Sequence, residues 1–406
     1  MPTIPTTTAG SLPRTQALIE ANRARVLADD GFTLTSSPEF DELVAAAVAD
    51  VVARQRAAGV TLVGDGEFGK AMSSAVDYGA WWSYSFQRVN GLTLTDVDPL
   101  TSAPDAREVP GQRAVRSEPG RIRLTSFVDR RDRRAFPAVY HDAEAVPSGR
   151  IATAFPTTTG PISYRGQDAV AADIRHLKAA LAPGEQGFLT AISPGSAARI
   201  VDSHYASEQE HIDAWADALR EEYRAIVDAG LVLQIDDPSL AENWDQINPE
   251  PSVADYQAFT KIRIDALNRA IAGLPKEQVR LHLCWGSWHG PHTTDIELRH
   301  LLPVVLQANV GSLSFEAGNV RHEHEWAVWK DADVPADLVL VPGVVSHATN
   351  VVEHPDLVAE RIGRFTSIVG PERVIASTDC GLGGRVHPDI AWAKLDSLGE
   401  GARRAG

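Results

Sequence analysis

The chain is short of cysteine, of positive charge and of long apolar runs, and each shortage excludes something. Two cysteines in 406 residues do not make a disulfide scaffold. In a reducing cytoplasm, the expected compartment, both would stay free thiols. Lys and Arg number 38 against 54 Asp and Glu, a formal net charge of -16. That balance argues against nucleic acid or an anionic membrane as the main partner. No apolar run approaches the roughly 18–20 residues of a membrane-spanning helix. The start, Met1-Pro2-Thr3-Ile4-Pro5, has neither a basic region nor a long apolar one, so no signal peptide is expected. What is present, 44% hydrophobic and 23% charged residues, is the composition of an ordinary soluble globular protein with a large core.

The two cysteines stand in telling places. Arg280-Leu281-His282-Leu283-Cys284-Trp285-Gly286 is an apolar, strand-like run ending in His-x-Cys. Side chains two apart on a strand share a face, so His282 and Cys284 project together. The second cysteine sits in Ser377-Thr378-Asp379-Cys380-Gly381, again after a short apolar run. One imidazole and two thiols suit zinc, and these cysteines are expected to bind one zinc ion. The bland alternative is a pair of buried core thiols acting as small apolar residues.

Taken in order, Thr6-Thr7-Thr8-Ala9-Gly10-Ser11-Leu12-Pro13-Arg14 reads as a loop open to a ligand. Helical spacing over about 39–58 places Phe40, Leu43, Val44, Ala47, Val48 and Val51 on one face, and Gly59 stops it. Val60–Gly64 then reads as a buried strand delivering Asp65-Gly66-Glu67 to its end. From 68 to 150 the regular alternation is lost. An aromatic cluster (Tyr78, Trp81, Trp82, Tyr84, Phe86) precedes a stretch carrying Arg107, Arg113, Arg116, Arg121, Arg123, Arg130, Arg131, Arg133 and Arg134. This stretch is expected to be an insertion or small subdomain. It either packs on itself and makes a subunit contact, giving a homo-oligomer, or forms a lid that closes the site or attracts an anion.

Beyond Arg150, short apolar runs recur at Ile151–Phe155, Phe188–Ile192, Leu231–Asp236, Val279–Cys284, Val310–Glu316, Leu338–Val344 and Val374–Ser377. Helical stretches separate most of them, among them about 208–229 and about 253–272, the latter with Ser252 as N-cap and Gly273 past its end. With the Val60 run this makes eight strands in βα order, which predicts an α/β fold. The expected architecture is a single (β/α)8 TIM barrel over 1–406 with a long insertion after the first strand. The active site of such a barrel lies at the C-terminal strand ends. Glu67, Asp236, His282, Cys284, Glu316, His347 and Cys380 all end these runs. Glu316 is the best candidate for a fourth metal ligand, with His289, His292, His322 and His324 as competitors. His322 and His324, two apart in an expected helix, are read as solvated side chains.

His282-x-Cys284, Glu316 within Ser-Phe-Glu-Ala, and Asp379-Cys380-Gly381-Leu382 resemble the zinc motifs of the catalytic domain of cobalamin-independent methionine synthases. Gly10-Ser11-Leu12-Pro13-Arg14, Gly66-Glu67 and Gln234-Ile235-Asp236-Asp237-Pro238 extend the resemblance over nearly the whole chain. The resemblance implies zinc held by His282, Cys284, Glu316 and Cys380, and a thiol activated on it to accept a methyl group carried on a folate. By motif, Ser11, Glu67 and Asp236 would hold the amino-acid end of homocysteine, and His347 would be the general acid. The family's Ile-Asp-Glu-Pro is here Ile-Asp-Asp-Pro, with Asp237 in place of Glu. Compact relatives with a Gly-Ser-Leu-Pro-Arg start include the epoxyalkane:coenzyme M transferases. Two activities are therefore expected as alternatives. One is a zinc-dependent thiol methyltransferase; the other is a carbon–sulfur lyase or alkyltransferase that joins a thiol to an epoxide. In either case the partners are a small thiol and a methyl or alkyl donor. A purely structural zinc site is the non-catalytic alternative.

Overall fold

The structure, a computed structural model, describes residues 4–70, 80–95, 117–124, 130–142 and 155–406. Tyr78, Arg107, Arg113 and Arg116, and residues 151–154 of the expected run at Ile151, lie outside the described residues. In chain order the strands are β1 (Leu62–Gly64), β2 (Val89–Thr95), β3 (Phe155–Tyr164), β4 (Gln186–Ile192), β5 (Val201–Asp202), β6 (Val232–Asp236), β7 (Val279–Leu283), β8 (Ser312–Glu316), β9 (Val339–Val345) and β10 (Ser377–Thr378).

Seven of these form one parallel sheet in the order β1-β4-β6-β7-β8-β9-β10. The N-terminal segment joins its two edges. Thr7 N donates to Ala376 O at 2.8 Å, next to β10, while Leu62 N of β1 donates to Thr6 O at 3.0 Å. Thr6 and Ala376 also form a parallel bridge. The sheet thereby curls into a TIM-barrel-like ring whose opening stave is the segment at Thr6. That segment was expected to be a loop. Three threonines carry no apolar alternation, and their partners lie far along the chain, so nothing local marks a strand. Of the run at Ile151–Phe155, expected as a stave, only Phe155 lies among the described residues. Phe155 begins β3, which pairs antiparallel with β2 and parallel with β5 in a separate three-stranded sheet.

Parallel strands buried on both faces need apolar residues on the helix side and tolerate polar ones inside the ring. β7 illustrates this. Leu281 and Leu283 are fully buried outward, and each such side chain contributes roughly 1.5–3 kcal/mol. Arg280 points inward, where Nη1 donates to Thr7 Oγ1 at 3.1 Å and the guanidinium lies 4.2 Å from the Phe188 ring centroid. His282 and then Cys284 continue the same face towards the C-terminal mouth. Register places Asp236 of β6 beside His282, and His282 beside Ser314 of β8. Neighbouring staves therefore deliver polar inward residues at one height.

The outer helices follow from their spacing. Glu208–Asp228 buries Ile212, Trp215, Leu219, Tyr223 and Ile226 on one face. Val253–Ile271 starts where Ser252 Oγ accepts from Asp255 N at 3.1 Å. Residues 130–142 dock on the loops that follow β6 and β7. Asp132 accepts from Thr293 N at 2.9 Å, from Tyr140 Oη at 2.7 Å and from His292 N at 3.2 Å.

Candidate metal and substrate site

His282, Cys284 and Cys380 converge at the barrel mouth, one ligand atom from each lying within 4.8 Å of the others. Strand alternation brings the first two together, and the close approach of β10 to β9 brings the third. That approach needs Gly343, because a Cβ there would sit 2.3 Å from Asp379 Cα. His282 Nδ1 is paired with Ser314 Oγ at 3.1 Å, which leaves Nε2. Nε2 is buried without a hydrogen-bond partner. A buried polar atom in that state loses its hydration for nothing unless a ligand supplies the contact. Contact with Cys284, and then with His282, holds the Cys380 thiol well below the usual thiol range, while contact with Cys380 and burial push Cys284 well above it. An imidazole fixed through its other nitrogen, a thiolate and a thiol together match the donor set of a tetrahedral zinc ion.

Glu316 falls in an adjoining group with His347 and Asp379, whose ligand atoms also lie within 4.8 Å of one another. Its two oxygens accept from Trp285 N at 2.9 Å and Asn319 Nδ2 at 2.6 Å. Burial, with Asp379 and Cys380 nearby, raises its pKa well above the carboxylate range. Asp379 Oδ1 accepts from the backbone N–H groups of Ala317 and Gly318, both at 2.8 Å, and Oδ2 is left unpaired. His347 is buried with Nδ1 unpaired, and burial pulls its pKa down to about 4. Its imidazole is neutral in this state.

The mouth is acidic on the β6 side of His282, where Asp236 is its register neighbour. Glu67 sits at φ 64, a left-handed position unusual for a side chain of this kind. It accepts from Thr190 Oγ1 at 2.8 Å and has Lys70 Nζ at 3.9 Å. Gly10, at φ +117, admits it, since a Cβ there would lie 2.7 Å from Thr190 Cγ2 and 3.0 Å from Glu67 Oε1. Asp236 accepts from Gln234 Nε2 at 2.7 Å. Burial, and then the charge of Glu67, pushes its pKa up to about 7. Ser11 lies where the first loop meets the loop after Cys380, its carbonyl accepting from Leu382 N at 2.9 Å and Gly383 N at 3.1 Å. Asp237, in the altered motif, is turned away from this mouth and accepts from Ser196 Oγ at 2.9 Å.

Several expectations change. His322 is not a solvated side chain but is buried, stacked on Trp285 at 4.0 Å, and paired with Glu325 at 2.8 Å and Asp295 at 3.1 Å. Burial alone would discharge it, yet these carboxylates outweigh that and raise its pKa to about 10. Its neighbour His324 is exposed. His292 is taken by Asp295 and the Trp288 carbonyl. Ser314 and Asp379 were not singled out as site residues. The alternation that pairs His282 with Cys284 also marks Ser314 and Glu316 on β8, so Ser314 was within reach; what Asp379 binds depends on the β9–β10 contact. Of the arginines in the irregular stretch, Arg130 and Arg199 of the barrel both pair with Glu242, and Arg130 lies 4.1 Å from the Trp288 ring centroid. Arg131 pairs with Glu250.

Residues 186–403 match the family described as cobalamin-independent synthase, catalytic domain. A 2-hydroxypropyl-CoM lyase of Xanthobacter autotrophicus is 27% identical over 231 residues, covering 50% of this chain and 56% of the relative. A methionine synthase of Thermococcus kodakarensis is 26% identical over 206 residues, covering 49% and 51%. The chain thus spans about half the length of the curated relatives it matches. Among solved structures, a B12-independent methionine synthase from a Shewanella species, in complex with selenomethionine, superposes with a TM-score of 0.67 at 19% identity, over 99% of this chain and 97% of that one. A putative B12-independent methionine synthase from Listeria monocytogenes gives 0.62 at 17% identity, over 100% and 99%. At these identities the likeness to the solved structures is one of fold. The family match covers more than half of the chain, and the protein belongs to the cobalamin-independent synthase catalytic-domain family.

Proposed function

We propose that the protein is a zinc-dependent methyltransferase acting on a small thiol, homocysteine or a close analogue. The observation that carries this reading is the His282–Cys284–Cys380 cluster, with His282 Nε2 buried and unpaired at the barrel mouth. His282, Cys284 and Cys380 would hold the ion, with Glu316 as the ligand nearest to hand for a fourth position. A zinc ion there supplies the positive charge that keeps an alkyl thiol, normally titrating near 8.5, deprotonated at neutral pH. Ser314 holds the plane of the His282 ring and occupies its Nδ1. Glu316, carrying hydrogen bonds from Trp285 and Asn319, is oriented beside the cluster and would be the ligand least committed to the ion. Glu67 and Asp236 suit a substrate ammonium: the two acids repel, and a cation between them relieves the repulsion and ionises Asp236. Ser11, on the loop clamped to residues 382 and 383, would border the same end of the substrate. His347 is assigned to protonate the departing donor. It needs the negative charge of bound substrates to raise a pKa that burial alone holds near 4.

The runner-up is thiol addition to an epoxide or its reversal, favoured by the 2-hydroxypropyl-CoM lyase relative, and the same sulfur-activating cluster would serve it. Product analysis with homocysteine and 2-mercaptoethanesulfonate, each offered methyltetrahydrofolate, methylcobalamin or epoxypropane, separates the two. Methionine formation is the expected result. A thioether formed from the epoxide alone would transfer the assignment to the runner-up. Failure of any thiol to change the spectrum of the cobalt-substituted protein would end both.

A further inference from the structure

The acid assigned at the mouth is not gripped through Nδ1 as the metal-site imidazole is. His347 Nδ1 is buried without a hydrogen-bond partner, whereas His282 Nδ1 is held by Ser314. Where the His347 ring points is therefore set by its packing and by the backbone that carries it. The backbone just before it is fixed from two sides. Val344 O accepts from Arg361 Nη1 of helix Pro355–Val369, and Val345 O accepts from Asp379 N, both at 2.9 Å. Ser346 N, the next donor, goes to a side chain instead, Glu353 Oε1 at 2.8 Å. Between these two residues the chain runs over the surface, with Ala348, Asn350, Val351 and Val352 exposed, and at Glu353 it is buried again.

Glu353 is braced in turn by helix Pro388–Ala405. Its Oε2 accepts from Lys394 Nζ at 2.9 Å, and the same ammonium donates to Val351 O at 2.6 Å. Ser397 Oγ, about one turn further along that helix, donates to the Glu353 carbonyl at 2.5 Å. Lys394 and Glu353 are both buried. A buried ion pair is often no better for stability than apolar side chains of similar volume, so its presence here calls for another reason. A carboxylate with one oxygen on Lys394 and the other on Ser346 N supplies one, because it ties the root of the loop to a rigid helix. We propose that Glu353, braced by Lys394, is a positioning residue that fixes the direction of His347. This rests on the assignment of His347 as the acid made above. In the reaction the thiolate sulfur bonds to the donor carbon, and the bond from that carbon to nitrogen or oxygen breaks. The departing atom takes the electron pair and the proton of His347. A misdirected imidazole leaves the sulfur as nucleophilic as before and fails only in delivering that proton.

The test compares two kinds of donor on the full-length, zinc-loaded protein. Methyltetrahydrofolate or epoxypropane, whichever product analysis shows to react, needs the proton; methyl iodide does not, because iodide leaves as a stable anion. Removing one charge would strand the other in the core, so each variant removes both. The apolar variant, Glu353→Met with Lys394→Met, should lower kcat with the proton-requiring donor about 100-fold. Its KM for the thiol and its rate with methyl iodide should match the wild type. The amide variant, Glu353→Gln with Lys394→Met, keeps an oxygen for Ser346 N and should recover most of the loss. An equal loss with both donors, or no loss, in the apolar variant overturns the proposal, and so does an amide variant as slow as the apolar one. Should the apolar variant not fold, Glu353→Leu with Lys394→Leu takes its place and is read the same way. A second readout is the NMR signal of ring-labelled His347, identified by its absence in His347→Gln. It should shift or double in the apolar variant and return in the amide variant, and an unchanged signal overturns the proposal. If neither proton-requiring donor reacts in the wild type, the acid assignment fails by itself, and this signal alone decides whether Glu353 places the ring.

Discussion

The two sides of the barrel mouth are built from the same kind of strand end, yet they are partnered differently. On the acidic side, Glu67, Asp236 and Lys70 find their contacts within the protein, through Thr190 and Gln234. On the sulfur side, His282 Nε2, His347 Nδ1 and Asp379 Oδ2 are buried without one. Buried polar atoms are mostly satisfied, and these three stand out among the other unpartnered ones because they lie together on groups able to bind a metal. On the proposed reading, the acidic side would recognise the substrate and the sulfur side would be completed by a metal ion.

If that contrast holds, the largest effect belongs to the sulfur side. Cys284→Ser and Cys380→Ser should each lower zinc affinity by well over 100-fold, beyond the 10- to 100-fold typical of losing a supporting partner. Metal content after dialysis against a chelator measures this, and full retention in either variant would remove that cysteine from the ligand set. Next come Glu67→Gln and Asp236→Asn, expected to weaken amine-bearing thiols such as homocysteine and cysteamine about 10- to 100-fold while sparing mercaptoethanol and bound zinc. Loss of zinc from these two would erase the distinction between the sides. Ser314→Ala frees the His282 ring and should cost about 10-fold in zinc affinity with little change in thiol preference.

The smallest effect at neutral pH concerns His322, behind the sulfur side. Its folded pKa is raised to about 10 from an ordinary value of 6.5. The charged, paired form therefore adds stability that is complete below about pH 6.5 and is lost as the pH rises towards 10. Thermal unfolding of the wild type should show a falling midpoint across that window. His322→Gln should start lower and flatten the slope, and an unchanged slope would show that His322 is not charged in the fold.

Much of the architecture was legible because barrel staves and amphipathic helices announce themselves by local period. β4, β6, β7, β8 and β9 lie within two residues of the apolar runs that predict them, and helix 253–271 has both expected ends. The stave missed at Thr6 has a physical cause. The threonines at 6–8 become a stave only because β1 and β10 stand on either side of them. Phe155, the one described residue of the run expected at Ile151, pairs with β2 and not with a barrel strand. The same division runs through the site. His282 with Cys284 follows from alternation along one strand. The burial and pairing of His322, by contrast, depend on Asp295 and Trp285, which local spacing does not bring into view.

By itself, then, the sequence determined the chemistry available to this protein: two thiols, their imidazole and a ring of carboxylates at the ends of apolar strands, in the order of a βα barrel. Side-chain alternation and hydrophobic burial are local rules, and they sufficed for that. Only the tertiary structure decided which of these groups are left without partners. Satisfaction of a buried polar atom depends on everything packed around it, and its neighbours come from the whole length of the chain. Ser314 occupies one nitrogen of His282, and Gly343 lets Cys380 close on Cys284.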